Sequence, residues 1–192
     1  SEELVVLFKQ IFEGLEHHVH LLSGKISDKD RKTILDTLGK SSSTFRKNIY
    51  ENSFSGSQLK VSKKELLDFI KVSLQFIEHS IDANKREDNL YHAYNLMTVE
   101  SATEVSISCL PEMLEGQVAV LSSGCLSAKE SVQLLNNLKQ SALFRPDQYS
   151  YILYPNKELP GFLDRNNITK NDVEKSKLLT ELIKSENTQI IV

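Results

Sequence analysis

The chain has 192 residues, of which 40% are hydrophobic and 26% charged, and carries a net charge of −3. This is an ordinary globular composition with enough apolar mass for a core in one domain, or one and a small appendage, so disorder is not the default. Seven glycines and four prolines are too few for a many-stranded sandwich or barrel, which needs a turn residue every 8–12 positions or so.

Leu4, Phe8, Ile11, Leu15, Val19 and Leu22 recur at steps of four and three, one stripe at about 100° per residue, with Leu7 and Phe12 flanking it. The spacing predicts a first helix that ends at Gly24 as a left-handed C-cap. A second helix is expected from Ser27 or Asp28, with Ile34, Leu35 and Leu38 on its face, and Gly39 ends or bends it. Ser41 to Thr44 offer a new cap for Phe45 to Asn52, and Phe54 to Gln58 read as a loop. Ser62 and Glu65 form a capping box that opens a long helix to about Ala83. Leu66, Leu67, Ile70, Leu74, Ile77 and Ile81 make its main stripe, and Phe69, Val72 and Phe76 extend apolarity around it. Such a helix is expected to be sandwiched between neighbours.

Residues 84–110 read as an irregular connector, with a short strand in the alternating segment Glu104 to Cys109. Pro111 suits a first helical turn, and Met113, Leu114, Val118, Ala119 and Leu121 carry a helix to Gly124. Ser127 and Glu130 form a second capping box, opening a helix with Val132, Leu135, Leu138 and Ala142 on its face, so the two read as a hairpin. Tyr149 to Tyr154 is β-prone and stops at Pro155, and Pro160 to Arg165 reads as one helical turn. Thr169 or Asn171 then caps a last helix with Val173, Leu178, Leu179 and Leu182. The expected fold is mainly α: stacked antiparallel helices and helical hairpins with one or two short extended segments. Residues 1–192 are taken as a single helical domain of three parts: N-terminal helices over 1–83, the connector over 84–110, and a hairpin, aromatic insert and C-terminal helix over 111–192.

The start at Ser1 without Met and the apolar end Thr188 to Val192 are read as boundaries inside a longer polypeptide. Its other domains are the expected partners. Acidic and basic residues are interleaved, so no basic stripe marks a nucleic-acid surface. No apolar run approaches the roughly 20 residues of a membrane span, and no signal peptide opens the chain. A cytoplasmic setting is therefore expected, with the parent's own N-terminus out of view. Cys109 and Cys125 lack CxxC spacing and read as two ordinary thiols.

His17 and His20 share the helix side opposite the Leu4 stripe, with Glu13 and Glu16 one turn before them. Two imidazoles and carboxylates can hold a transition metal, but the HExxH pattern of zinc proteases is absent. A solvated face with His18 at its boundary is the favoured account, and neither a metal nor a cofactor is expected. No Walker loop, GxGxxG or GxSxG elbow appears either. Asn167 to Thr169 matches a glycosylation acceptor, a tripeptide common by chance.

The segment from Asn84 to Met97 packs Arg86, Glu87, Asp88, Tyr91, His92, Tyr94 and Asn95 together, and the segment from Arg145 to Gly161 adds Arg145, Asp147, Tyr149, Tyr151 and Tyr154. Carboxylates and amides beside aromatic faces are what carbohydrate sites use, so Glu87, Asp88, Tyr91, His92, Tyr94, Asn95, Arg145, Asp147, Tyr149, Tyr151 and Tyr154 are the candidate ligand-binding residues. The competing account, favoured for the first segment on sequence alone, is a buried polar connector whose side chains satisfy loop backbone groups. The segments make one site only if they meet in space.

Asn84 to Met97, Leu114 to Gly124 and Tyr151 to Phe162 resemble segments of large uncharacterised bacterial proteins that are similar to helical-toroid glycoside hydrolases and disaccharide phosphorylases. The resemblance implies an internal helical domain of a large carbohydrate-associated protein of the bacterial cytoplasm or envelope, and carries over no catalytic residue. The first functional expectation is thus a non-catalytic helical module that lines a sugar site. The second is a protein–protein interaction or scaffold domain with an exposed apolar patch. The third is an enzyme fragment with His92 and Glu87 or Asp88 as proton handlers.

Overall fold

The computed structural model describes residues 1–186, the side chain of Leu163 excepted. They form two compact units, Ser1–Pro155 and the segment beginning at Asn156, and each is described by itself. The apolar end Thr188 to Val192 lies outside the described residues. The fold is mainly α with two short antiparallel strand pairs.

In the first unit, α1 spans Glu2–His18. The expected single helix to Gly24 instead tightens into a 3-10 turn over Val19–Ser23, a common way for a helix to end. His18 is buried there, its Nδ1 2.6 Å from the Gly14 carbonyl. Helix α2 runs unbroken over Asp28–Asn52, capped by Ser27, whose side chain accepts from the Asp30 N–H. The break expected at Gly39 does not occur. Thr33, Thr37 and Ser41 each donate to the carbonyl four residues back, so Ser41 is engaged within the helix rather than capping a new one.

Helix α3 spans Lys63–Ala83 and opens with the Ser62–Glu65 capping box. Its inward face is the one that looked secondary. Phe69 packs edge-on against Phe8 and Phe12 of α1, with centroids 5.1 and 6.0 Å away, and Val72 and Phe76 are half-buried. The main stripe points outward: Leu66, Leu67, Ile70, Leu74 and Ile77 are 44–54% exposed. The expected sandwich is therefore corrected: α1 covers the Phe69 face, and of the main stripe only Ile81, at the helix end, packs on the core. Edge-to-face rings add about 0.5–1.5 kcal/mol per pair beyond the area they bury, and only the Phe69 face offers them.

Residues 84–110 are more regular than expected. β1 (Asn95–Val99) and β2 (Val105–Cys109) form an antiparallel hairpin pairing Asn95 with Cys109 and Val99 with Val105. Val105 is buried, and its carbonyl accepts from Arg31 of α2 at 2.8 Å. Helix α4 (Leu114–Ser123) begins three residues after Pro111 and stops at Gly124, left-handed at φ 75°. Helix α5 (Ala128–Gln140) opens with the Ser127–Glu130 capping box and ends before Ala142. Of the β-prone Tyr149 to Tyr154, β4 takes only Ser150–Tyr151, paired with β3 (Phe144–Arg145).

The buried core sits at this end of the unit: Leu90, Tyr91, Val120, Leu134, Leu138 and Leu143, with Ile81, Leu114, Leu121 and Leu126 packed against it. The connector enters the core through one side chain. Gln117 of α4, fully buried, accepts from the Tyr91 N–H at 2.9 Å and donates to the Tyr91 carbonyl at 2.8 Å. Next to it, a Cβ on Gly116 would stand 3.0 Å from the Ala93 Cβ and 3.2 Å from the Tyr91 carbonyl oxygen, so the backbones meet where only glycine fits.

The second unit carries α6 (Phe162–Arg165), α7 (Lys170–Glu174) and α8 (Lys177–Lys184). The single turn at Phe162–Arg165 and the Thr169 cap are as expected. The last helix is instead two, because Ser176 caps α8 anew, accepting from the Leu179 N–H, while Thr180 donates back to the Val173 carbonyl. Among the described residues no helix is long and apolar enough to cross a membrane.

Gln117→Leu keeps the volume and removes both partners of Tyr91. We expect it to destabilise the chain by roughly 2–4 kcal/mol, read as a lower urea midpoint. A midpoint within about 0.5 kcal/mol of wild type would refute the clamp.

Candidate functional site

The two tyrosine-bearing segments meet at the start of α4. The Leu114 N–H donates to the Leu153 carbonyl at 3.0 Å, which holds residues 151–154 against the helix N-terminus. One residue on, Glu115 pushes the Tyr94 phenol above its ordinary range, with burial and then Tyr154 adding lesser parts; at the same end of α4, Ala93 beside Tyr94 runs against Gly116. Tyr94 and Tyr154 are both more than half exposed. A carboxylate acceptor between open aromatic faces is a sugar-compatible arrangement. Tyr94 also has φ 53°, a left-handed backbone that is an outlier for a bulky residue and costs on the order of 1–3 kcal/mol.

Tyr149 repeats the pattern in the β3–β4 hairpin, at φ 48° and 75% exposed. Its ring stands edge-on to Phe144 at 5.5 Å, and the Tyr151 ring lies tilted 5.2 Å from Phe144. Lys139 Nζ donates to the Tyr149 hydroxyl at 3.0 Å and sits 5.0 Å from its ring centre. That contact lowers the Tyr149 phenol and raises the Lys139 amine. Arg145 and Asp147 pair with each other at 2.8 Å across the turn, so their charges are largely spent on the hairpin itself.

The remaining candidates hold the connector in place. Asp88 accepts from Arg86 and from the Leu90 N–H at 3.1 Å, and its carbonyl accepts from Asn137 of α5 at 2.8 Å. The Arg86 guanidinium, which also pairs with Glu112 at 3.3 Å, holds the Asp88 carboxyl below the usual range. Tyr91 is buried, which pushes its phenol up. Glu87 is exposed in the turn beside Asp88. Asn95 Nδ2 donates to Asn84 Oδ1 at 2.7 Å.

His92 is half-buried with Nδ1 3.1 Å from the Leu110 carbonyl. It lines a cavity of about 440 Å³ between α3, the connector and α4. Ser80, Asn84, Ser123 and Tyr91 are its other polar residues, and the rest of the wall includes Ile77, Ile81, Ala119 and Val120. No carboxylate lines it, so Glu87 and Asp88 do not join His92 there as proton handlers. The wall suits aliphatic side chains better than a sugar's ring of hydroxyls. Near the chain's start, a cavity of about 380 Å³ is lined by Glu3, Gln10 and Asn48 among others. Glu3, accepting from the Ser55 N–H at 2.8 Å, is drawn down to about 2. Among the described residues no three metal-capable side chains converge.

Reading the sequence missed Glu115, Gln117, Lys139 and Phe144. Glu115 and Gln117 look like routine helix-surface residues, and their partners lie 21 and 26 positions away in the chain.

Residues 159–192 match the family model described as GH149 phosphorylase insertion domain 2. This chain has an internal domain related to glycoside hydrolase and phosphorylase proteins. The match coincides with nearly all of the second unit and overlaps the residues that carried the earlier resemblance only at Leu159 to Phe162. An insertion domain implies a larger multidomain chain, and the match is consistent with a carbohydrate-enzyme-associated module. The search of curated proteins gives no match.

Because the Asp88 carboxyl is held low by Arg86, its contribution to stability is present above the unfolded value near 3.9 and is lost as pH falls through the lower folded one. Asp88→Asn should flatten the acid limb of stability measured between about pH 4 and 2. An unchanged limb would remove Asp88 from the account.

Proposed function

We infer that this chain is a non-catalytic helical module of a multidomain carbohydrate-active protein, and that Tyr94, Glu115 and Tyr154 form a ledge at which a sugar chain rests. The observation that carries this reading is the meeting of the two tyrosine segments around one carboxylate. Supporting it, Tyr94 is held exposed by a costly left-handed backbone, as strained positions at functional sites often are. The hairpin platform of Phe144, Tyr149, Tyr151 and Lys139 offers a further aromatic surface in the same unit. The match to a phosphorylase insertion domain is in keeping with a carbohydrate partner. No catalytic role is assigned, because the cavity that His92 lines holds no carboxylate to work with it. A second reading, an interaction or scaffold domain, is favoured by the outward stripe of α3.

Calorimetric titration of the chain with a panel of gluco- and manno-oligosaccharides tests the ledge. Tyr94→Asn keeps a residue that tolerates φ > 0 while deleting the ring, so it should hold or raise stability. Tyr94→Asn and Tyr154→Ala should each weaken binding by about 1 kcal/mol, roughly fivefold. Flat heats for every sugar, confirmed by unchanged amide spectra on titration, would end the sugar reading.

A further inference from the structure

The most conspicuous unpartnered surface is the outer face of α3. Leu67, Ile70, Leu74, Ile77 and Ile81 step by three and four along it, the a/d spacing of a helix-pairing seam. The first four are nearly half exposed or more, while α1 occupies the opposite, phenylalanine-bearing face. A contiguous apolar strip of this kind marks an interaction surface rather than ordinary scatter.

We propose that this strip pairs with the same strip of a second copy, the two α3 helices running antiparallel about a two-fold axis between Leu74 and Ile77. The register follows from the residues. An antiparallel seam sets an a position of one helix against a d position of the other. With the axis placed there, Leu74 of each copy meets Ile77 of the other, and Ile70 meets Ile81. The same register brings Lys71 of each copy opposite Glu78 of the other, beside the seam, twice per dimer. Shifting the pairing by one heptad toward the helix N-terminus sets Lys71 against Lys71, so charge selects the first register. Both groups are available: Glu78 makes no ion pair among the described residues, and Lys71 only a loose one of 3.9 Å with Asp68. Ser80, small and exposed, flanks the seam on its other side and lets the helices approach. Ile77 and Ile81 also border the aliphatic cavity beside α4, so Ile70 of the other copy arrives at its mouth, and an apolar cavity gains an apolar occupant.

This inference goes beyond the sugar ledge and does not depend on it. A single helix pair is a small interface, so association belongs at roughly 100 µM protein rather than at nanomolar levels.

Sedimentation equilibrium of the 192-residue chain across that range should show a monomer–dimer equilibrium. Leu74→Glu, at an exposed site that leaves the monomer's circular dichroism unchanged, should weaken dimerisation at least about tenfold. Lys71→Glu and Glu78→Lys, each of which makes two like-charge pairs per dimer, should each weaken it as well. An equimolar mixture of these two variants should recover the wild-type dimer, because each then supplies the charge the other lacks. A chain that stays monomeric throughout overturns the proposal, and so does a dimer that ignores all three substitutions. Failure of the mixture to recover overturns the antiparallel register.

Discussion

The Gln117 carboxamide holds both backbone groups of Tyr91, and most of what distinguishes the first unit follows from that contact. A buried N–H and C=O away from any helix or sheet must find partners, and one amide side chain supplies an acceptor and a donor at once. Leu90 and Tyr91 are thereby fixed in the core against α4 and α5. The chain leaving the core at Ala93 runs so close to α4 that Gly116 is required. Tyr94 follows with a left-handed backbone and lies open to solvent. The clamp at Tyr91 and the exposed Tyr94 follow one another along one anchored strand of backbone.

The N-terminal helices obey a different constraint. Their association depends on three phenylalanine rings from α1 and α3 rather than on a deep core, and few of their side chains are fully buried. Aromatic contacts favour one face of α3 over another of equal hydrophobicity, and the aliphatic stripe is left outside. An apolar face in water is an unfavourable state that a partner relieves, and the alternation of Lys71 and Glu78 beside it gives that face an orientation as well as an affinity for its like.

Several features of the candidate site were readable as composition but not as arrangement. That five of the six tyrosines lie in two segments is visible in the chain, and those segments do converge. Yet Tyr91 and Tyr94, three residues apart and alike in character, differ completely: one is sealed in the core, the other open to solvent. Asp88 and Arg145, plausible ligand contacts by type, are occupied by Arg86 and Asp147 two residues away. Glu115 gave no sign of its part because a glutamate in the first turn of a helix is ordinary for the helix dipole alone.

Local chemistry determined the helices and their starts. Ser27, Ser62, Ser127 and Thr169 cap where a hydroxyl or carboxylate can reach an unpaired N–H three residues on, an interaction complete within one turn. The hairpin of residues 95–109, the inward face of α3 and the division of the tyrosines were decided only in the tertiary structure. Each depends on partners far apart in sequence: a ring from α1, an amide from α4, a guanidinium from α2. A chain that is apolar around most of a helix, or polar and aromatic along a connector, is compatible with several burials, and the choice among them is made by which distant surface fits best.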